Sequence, residues 1–316
     1  MRPAPNATRG SGDGGANDSD IRVIYEVRHV TRYRYESQVW SSTGTLRLLP
    51  RSGPGQTVFR AQIEVTPTPA ETSEKPDVFG NRIFRMRIAE PHRTLQILST
   101  SRVQVERPAP PAAALTPAWE QVRREAIASL ALDGNGPAFM LYPSRLVPIH
   151  APITAYAQES FAPGCAMLEA AFDLTKRIRR DFVYKPQATS ISTPIAEAFA
   201  ARTGVCQDFA QIMIAGLRGL GLPAAYVSGY IRTIPPEGKP RLAGADASHA
   251  WVSVWCGPAF GWIGCDPTNA CLVGDDHIVV AVGRDYADVS PVEGVLTGGA
   301  GTSRQNMTYG VDVIPQ

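Results

Sequence analysis

The chain is 316 residues long, with 44% hydrophobic residues, 19% charged residues and a formal net charge of only +2. This composition is typical of a globular protein of one large or two modest domains, and the near-neutral charge gives no support to nucleic-acid binding. The most apolar stretch, residues 212–231, contains an arginine, glycines and a proline, so we predict no membrane-spanning helix and no membrane partner. Residues 1–20 lack an apolar segment, which favours a disordered tail and a cytoplasmic protein.

Residues 21–107 have the pattern of β-strands. In residues 21–35, valines and tyrosines alternate with arginines, and this period of two is typical of a half-buried strand. Further strands are predicted at residues 45–50, 57–66, 82–89 and 94–106. The segment Asp77-Val78-Phe79-Gly80-Asn81 predicts a hairpin turn, because Gly and Asn tolerate positive φ. We therefore predict an antiparallel β-sandwich.

Residues 108–118 are rich in proline and alanine, which favour extended backbone and break helices and sheets. We predict a linker here, followed by a second domain over residues 119–316. Its pattern predicts helices first and strands afterwards, which favours an α+β domain. The predicted helices cover residues 119–132, 165–184, 195–202 and 206–220, and the predicted strands cover residues 224–231, 248–256, 261–266, 278–282 and 308–314.

Cys206 is the first candidate for chemistry. It follows Gly204-Val205 and opens the apolar helix predicted over residues 206–220. The backbone N–H groups at a helix N-terminus stabilise a thiolate, and they also stabilise an oxyanion formed beside the sulfur. Asp208 suits the same helix end through its negative charge. On this local pattern alone, Cys206 fits a buried small hydrophobic residue equally well.

A nucleophilic cysteine needs a base and a partner that orients the base. His249 begins a predicted strand and shares one face with Trp251 and Trp255, so we expect it in a cleft walled by these tryptophans. The next strand ends in Asp266, and a short connection between the two strands predicts an antiparallel hairpin. That hairpin would bring Asp266 close to His249, where a carboxylate can fix the tautomer of the ring.

The remaining ionisable residues offer weaker alternatives. Asp246 and Asp208 stay open as other partners for His249. The histidines at positions 29, 92 and 150 are interpreted as structural, and His277, which follows two acids, is interpreted as a solvated strand-edge residue.

No cofactor is predicted. Five cysteines are an odd number, and without a secretory leader they do not predict a disulfide framework. Cys256, Cys265, Cys271 and His277 are separated by 8, 5 and 5 residues, which lacks the close pair typical of structural zinc. No glycine-rich phosphate loop is present, so we expect neither ATP nor NAD.

Three sequence segments, which follow one another in the same order as in a known family, carry a resemblance to that family. Thr-Gly-Val-Cys-Gln-Asp-Phe-Ala, Ser-His-Ala-Trp-Val and Gly-Trp-Ile-Gly-Cys-Asp-Pro-Thr-Asn resemble the segments around the Cys, His and Asp of the bacterial transglutaminase-like superfamily. The first domain resembles the β-rich N-terminal domain of one bacterial branch. Tyr-Glu-Val-Arg-His-Val-Thr-Arg-Tyr-Arg-Tyr, Leu-Arg-Leu-Leu-Pro-Arg and Asp-Val-Phe-Gly-Asn carry this second resemblance.

The resemblance implies a papain-like thiol fold with a Cys206-His249-Asp266 catalytic triad and no metal. It implies hydrolysis or acyl transfer at the amide bond of a peptide or amide substrate, through a thioester. Oxyanion or substrate contacts are assigned to Tyr184, Gln207 and Trp251.

The sequence leaves the direction of the reaction open, and we favour a cysteine peptidase or amidase. Transglutaminase-type transfer to an amine is the alternative. Arylamine N-acetyltransferases use a similar triad but fit the three segments and the β-rich domain less well. A non-enzymatic scaffold is disfavoured, because all three triad positions are intact.

Overall fold

The structure is a computed structural model, and it describes residues 23–131, 133–233, 247–298 and 305–316. The tail predicted at residues 1–20 and the alternative partner Asp246 lie outside the described residues. Within the described residues, no helix has both the length and the apolar character that a membrane crossing requires.

An antiparallel sheet forms the N-terminal part, as the alternating pattern predicted. Its strands are β1 (Val23–Leu46), β2 (Gln56–Thr66), β3 (Glu71–Pro76), β4 (Arg82–Ile88) and β5 (His92–Val105), in the order β2-β5-β1-β4-β3. The predicted turn joins β3 to β4. There the carboxylate of Asp77 accepts the backbone N–H groups of Phe79 and Asn81, and Gly80 has a φ of 76°.

Strand β1 is longer than the sequence indicated. Two separate strands were predicted within residues 21–50, whereas the structure has one strand of 24 residues. Its first half pairs with β5 and its last five residues pair with β4. Buried side chains from both halves meet in one cluster that includes Tyr35, Val39, Met86 and Ile97. The long strand therefore folds the sheet over a shared core.

Helices and a second antiparallel sheet follow, which confirms the predicted α+β class. The helices are α1 (Trp119–Ile127), α2 (Ala151–Gln158), α3 (Met167–Asp181), α4 (Ile195–Ala201), α5 (Cys206–Gly219) and α6 (Tyr286–Val289), with 3-10 turns at Ala113–Leu115 and Pro137–Met140. The strands are β6 (Val183–Tyr184), β7 (Thr203–Gly204), β8 (Ala224–Ile231), β9 (Ala247–Trp255), β10 (Trp262–Asp266), β11 (Cys271–Leu272) and β12 (His277–Gly283). The sheet order is β11-β10-β9-β8-β12.

Helix α5 lies at the centre of this second part. Every residue from Asp208 to Arg218 is buried, because α5 packs between the sheet and α2. A side chain at Gly216 would come within 2.6 Å of the Ala157 side chain on α2. Glycine therefore permits the close contact that holds α5 in place.

The last two strands return to the first sheet. The strands β13 (Val292–Gly298) and β14 (Gln305–Pro315) both pair antiparallel with β1. The sequence placed residues 119–316 in the second domain, whereas the structure adds residues 292–298 and 305–315 to the first sheet. Pairing satisfies the backbone groups of β1 that face away from β4 and β5. A common core also joins the two parts, since Tyr25 and Val103 belong to the same buried cluster as Phe209.

The edge strand β12 is held by side chains of the first sheet. Gln56 exchanges two hydrogen bonds with the backbone of Val279, each of 2.8 Å. Asn81 does the same with Val282, at 2.7 and 2.8 Å. A side-chain amide presents an N–H donor and a C=O acceptor side by side, as the backbone of a neighbouring strand does. These two amides therefore continue the ladder of hydrogen bonds beyond β12.

The two acids that precede β12 also face the first sheet. Asp275 accepts the backbone N–H of Arg107 at 3.0 Å. Asp276 accepts the Tyr25 hydroxyl at 3.1 Å and forms an ion pair with Arg232 at 3.0 Å. The start of β12 is thereby fixed against the N-terminal part of the molecule.

Replacing Asn81 by Asp should test the importance of this contact. Asn81 is fully buried, and a carboxylate there would face both the Val282 carbonyl and the nearby Asp77 carboxylate. We expect Asn81→Asp to lower the free energy of unfolding by about 3 kcal/mol or more, measured by urea denaturation. Asn306→Asp, at an exposed position, is the control; an equal effect of both substitutions would contradict the prediction.

Candidate active site

Cys206 stands at the first position of α5, as predicted. The short strands β6 and β7 pair just before it. Asp208 is buried and folds back, accepting the Val205 N–H at 2.8 Å and the Thr189 hydroxyl at 2.6 Å. A side chain at Gly204 would lie 2.6 Å from this carboxylate. The Gly-Val-Cys-Gln-Asp segment thus forms the start of the helix. Asp208 is hydrogen-bonded within this region, and Asp266 rather than Asp208 is the partner of His249.

His249 lies between Cys206 and Asp266. Its Nε2 donates to Oδ2 of Asp266 at 2.8 Å, and on the other side it shares a cleft with Cys206, which lies close enough to raise the pKa of the imidazole. Strands β9 and β10 pair antiparallel, with Cys265 opposite Val252. This is the predicted hairpin, and it brings the carboxylate to the start of β9. The three residues therefore form a continuous Cys–His–Asp chain of contacts.

Asp266 is completely buried and accepts hydrogen bonds on both oxygens. Oδ1 receives the backbone N–H groups of Thr268 at 2.9 Å and Asn269 at 3.2 Å. Oδ2 receives the Asn269 side chain at 2.7 Å and His277 at 3.2 Å in addition to His249. The Asp-Pro-Thr-Asn turn thus wraps around its own first side chain. A buried carboxylate with so many donors is held as an anion in a fixed orientation.

His277 is the residue that sequence reasoning misplaced. It was expected to be solvated, whereas it is buried. Its Nδ1 accepts the Gly274 N–H at 3.4 Å, so Nε2 carries the proton that is donated to Asp266. His277 thereby donates to Asp266 and helps to orient its carboxylate. The contact arises from the pairing of β12 with β8, which no local pattern in the sequence revealed.

The candidate oxyanion and substrate residues occupy different places. Gln207 lines a cleft that also contains Cys206 and His249. Tyr184 is 46% exposed, packs edge-on against Phe209, and lines a second cleft beside His249. Burial raises the pKa of Tyr184, and the proximity of Cys206 raises it further, so its hydroxyl remains a hydrogen-bond donor.

Trp251 is not a cleft wall. The indole is 1% exposed and packs against His277, with ring centres 5.2 Å apart, and against His249. Trp255 is also buried. On this face of β9, His249 lines a cleft as expected, whereas the two tryptophans that were expected to wall the cleft are packed in the interior. Gly229 makes room for the indole, since a side chain there would lie 2.4 Å from it.

Among the described residues, His249, Asp266 and His277 also form a set whose spacing could suit a metal ion, with ligand atoms within 4.8 Å of one another. The two histidine nitrogens already donate to the same carboxylate oxygen at 2.8 and 3.2 Å. A ring nitrogen that donates its N–H to a carboxylate has no lone pair for a metal ion, and the carboxylate oxygen already accepts both donors. The residues fit a hydrogen-bonded relay better than a metal centre.

The protonation states of His249 and Asp266 follow from these contacts. Burial alone would lower the pKa of His249, but hydrogen bonds with Asp266 and Cys206 raise it to about 9. Burial alone would raise the pKa of Asp266, but the hydrogen bonds from His249 and His277 hold it well below its ordinary value. The imidazole is therefore protonated at neutral pH, and an imidazolium beside a thiol favours the thiolate.

Substitution of Asp266 should move the titration of His249. We expect the His249 ring to titrate near pH 9, as followed by NMR of histidine-labelled protein and assigned with His249→Ala. In Asp266→Asn the ionic partner is lost while burial remains, so the pKa of His249 should fall towards or below its ordinary 6.5. An unchanged titration would show that Asp266 does not stabilise the imidazolium.

Removal of the His277 donor should slow the reaction of Cys206. His277→Phe keeps an aromatic ring against Trp251 but removes the hydrogen bond to Asp266. A hydrogen bond to a charged group contributes about 1.5–3 kcal/mol, so we expect the rate of Cys206 alkylation by iodoacetamide at pH 7 to fall about tenfold. His92→Phe, another buried histidine, is the matched control. If both variants and the parent protein are alkylated at equal rates, His277 does not contribute to the reactivity of Cys206.

Comparison with known proteins agrees with this geometry. Residues 25–104 match the family described as "Bacterial transglutaminase-like N-terminal region", and residues 154–267 match the "Transglutaminase-like superfamily". The protein Rv2569c of Mycobacterium tuberculosis is 42% identical over 304 residues, which cover 92% of each chain. A protein-glutamine gamma-glutamyltransferase of Pseudomonas aeruginosa is 36% identical over 88 residues, which cover 28% of this chain and 13% of that protein.

A solved structure supports the same fold. A protein from Cytophaga hutchinsonii, described provisionally as a cysteine protease, superimposes with a TM-score of 0.71 at 22% identity, covering 94% of this chain and 91% of that one. The chain belongs to the transglutaminase-like superfamily and carries the bacterial transglutaminase-like N-terminal region.

Proposed function

We propose that this protein is a cysteine-dependent amide or peptide-bond hydrolase that works through a thioester. The observation that carries the proposal is the chain of contacts from Cys206 through His249 to a buried, ionised Asp266. A nucleophile, a base within reach of it and a group that orients the base are what acyl transfer to a side chain requires.

In the first half of the reaction, the Cys206 thiolate attacks the carbonyl carbon of the amide. The negative charge moves to the carbonyl oxygen, which the free N–H groups at the start of α5 stabilise. We assign further donors to Gln207 and to the hydroxyl of Tyr184. His249 then gives its proton to the leaving amine, the carbon–nitrogen bond breaks, and a thioester remains on Cys206.

In the second half, neutral His249 takes a proton from water while the water oxygen attacks the thioester. The carbon–sulfur bond breaks and the free acid leaves, so the thiolate and imidazolium form again. Asp266 keeps the ring in one tautomer and offsets its charge in both halves.

Transfer to an amine is the second candidate, and the similarity to the gamma-glutamyltransferase segment favours it. One feature of the site argues for hydrolysis. The second cleft beside His249 is lined by Arg179 and Arg232, and arginine stays charged at all ordinary pH values. Arg232 is paired with Asp276, but none of the described lining residues is Asp or Glu. A protonated amine that approached His249 from this side would therefore find no carboxylate to bind, whereas water at about 55 M needs no binding site.

The direction of the reaction can be measured with a library of peptides, isopeptides and γ-glutamyl peptides. Mass spectrometry identifies a cleaved donor, which is then supplied with and without a primary amine at millimolar concentration. We expect free acid to exceed amide product, and a thioester adduct to form on Cys206. Cys206→Ala should abolish the adduct and turnover, whereas Cys271→Ala, at a half-buried cysteine outside the triad, should retain both.

Three results would change the conclusion. An excess of amide product would make the enzyme a transferase. Turnover by Cys206→Ala would remove Cys206 as the nucleophile. The absence of an adduct with every donor would favour the non-enzymatic scaffold.

A further inference from the structure

The cleft above Cys206 is built by both ends of the chain. Its volume is about 360 Å³, within the range of ligand pockets. Cys206 and His249 lie in it together with Tyr226 of β8. The opposite wall comes from the first sheet, through Tyr33 on β1 and Tyr309 on β14. The N-terminal sheet is therefore part of the site rather than a separate module.

Apart from the pair of Cys206 and His249, no charged side chain lines this cleft in the part of the chain that the structure describes: none of its lining residues is Asp, Glu, Lys or Arg. His29 is the one lining base besides His249. Burial lowers its pKa to about 4, and its ring is fixed at 3.0 Å from the Tyr230 hydroxyl and 3.2 Å from the Thr31 hydroxyl. Tyr226 also stays neutral, because burial raises its pKa.

The two sides of His249 differ in polarity. The second cleft, with Arg179, Arg232 and Asn269, is polar and basic, and it contains His249 but not Cys206. An acyl group bonded to Cys206 must lie in the cleft that holds the sulfur. The leaving group receives its proton from His249, so it departs on the side that the basic cleft borders.

We propose that β1 and β14 of the N-terminal sheet form the acyl-donor subsite, and that this subsite selects an uncharged aromatic or aliphatic acyl group. This inference rests on the proposed function. A charged group would lose its hydration on entering and would find no ionic partner on the wall that β1 and β14 form. Aromatic and aliphatic groups would gain contact with Tyr33, Tyr226 and Tyr309 and with Met307 at the rim.

The test measures alkylation of Cys206 in the full-length protein, so it needs no known substrate. The reagents are N-benzyl chloroacetamide and its analogues with a carboxylate or an aminomethyl group in the para position of the ring. Each rate is divided by the rate with glutathione, which removes differences in intrinsic reactivity. We expect the benzyl reagent to modify Cys206 at least about tenfold faster than either charged analogue, equivalent to about 1.4 kcal/mol.

Substitutions on β14 provide a matched pair. Met307 is exposed at the rim of the cleft, whereas Thr308, the next residue, faces the other side of the sheet beside Arg32. Met307→Glu should lower the rate with the benzyl reagent and raise it with the aminomethyl reagent. Thr308→Glu should leave both rates unchanged.

The outcomes separate this inference from the proposed function. If no reagent modifies Cys206 ahead of the other cysteines, the proposed function fails. If Cys206 reacts first but neutral and charged reagents react at equal rates, or a charged one reacts fastest, only the subsite is disproved. Equal effects of Met307→Glu and Thr308→Glu would also disprove the subsite.

Discussion

The pairing of strand β12 with two side-chain amides is the contact on which the rest of the structure depends. An edge strand exposes backbone donors and acceptors that must be satisfied. Gln56 and Asn81 satisfy those of Val279 and Val282, and in doing so they attach the first sheet to the second. Because His277 opens β12, the same contact sets the position of a histidine that holds Asp266.

The site is therefore organised around a buried charge rather than around the cysteine. A carboxylate without exposure to water is tolerated only when donors surround it, and Asp266 receives them from its own turn, from β9 and from β12. That negative charge raises the pKa of His249, and the imidazolium in turn favours the thiolate. The reactivity that we propose for Cys206 would in this sense be a consequence of how Asp266 is enclosed.

The return of the chain to the first sheet adds a further constraint. Strand β14 lies beside β1 along residues 25–35, and both strands contribute to the wall of the cleft above Cys206. The first sheet thus contacts the strand that carries His277 through Gln56 and Asn81, and it lines the cleft of Cys206 and His249 through β1 and β14. This arrangement gives a physical reason for a β-rich domain to accompany the catalytic core.

The sequence by itself determined the secondary-structure elements and turns that depend on neighbouring residues. The alternation in residues 21–35 predicted the first half of β1, and the Gly-Val-Cys-Gln-Asp pattern predicted the start of α5. The short connection between β9 and β10 placed Asp266 near His249, because a hairpin fixes its own register. Only the tertiary structure decided contacts between distant segments: His277 reaches Asp266, β14 joins β1, and Trp251 is buried against His277. Such pairings depend on which strand edges and helix faces remain free after the local elements form. A pattern of neighbouring residues does not show which of these edges and faces will pair.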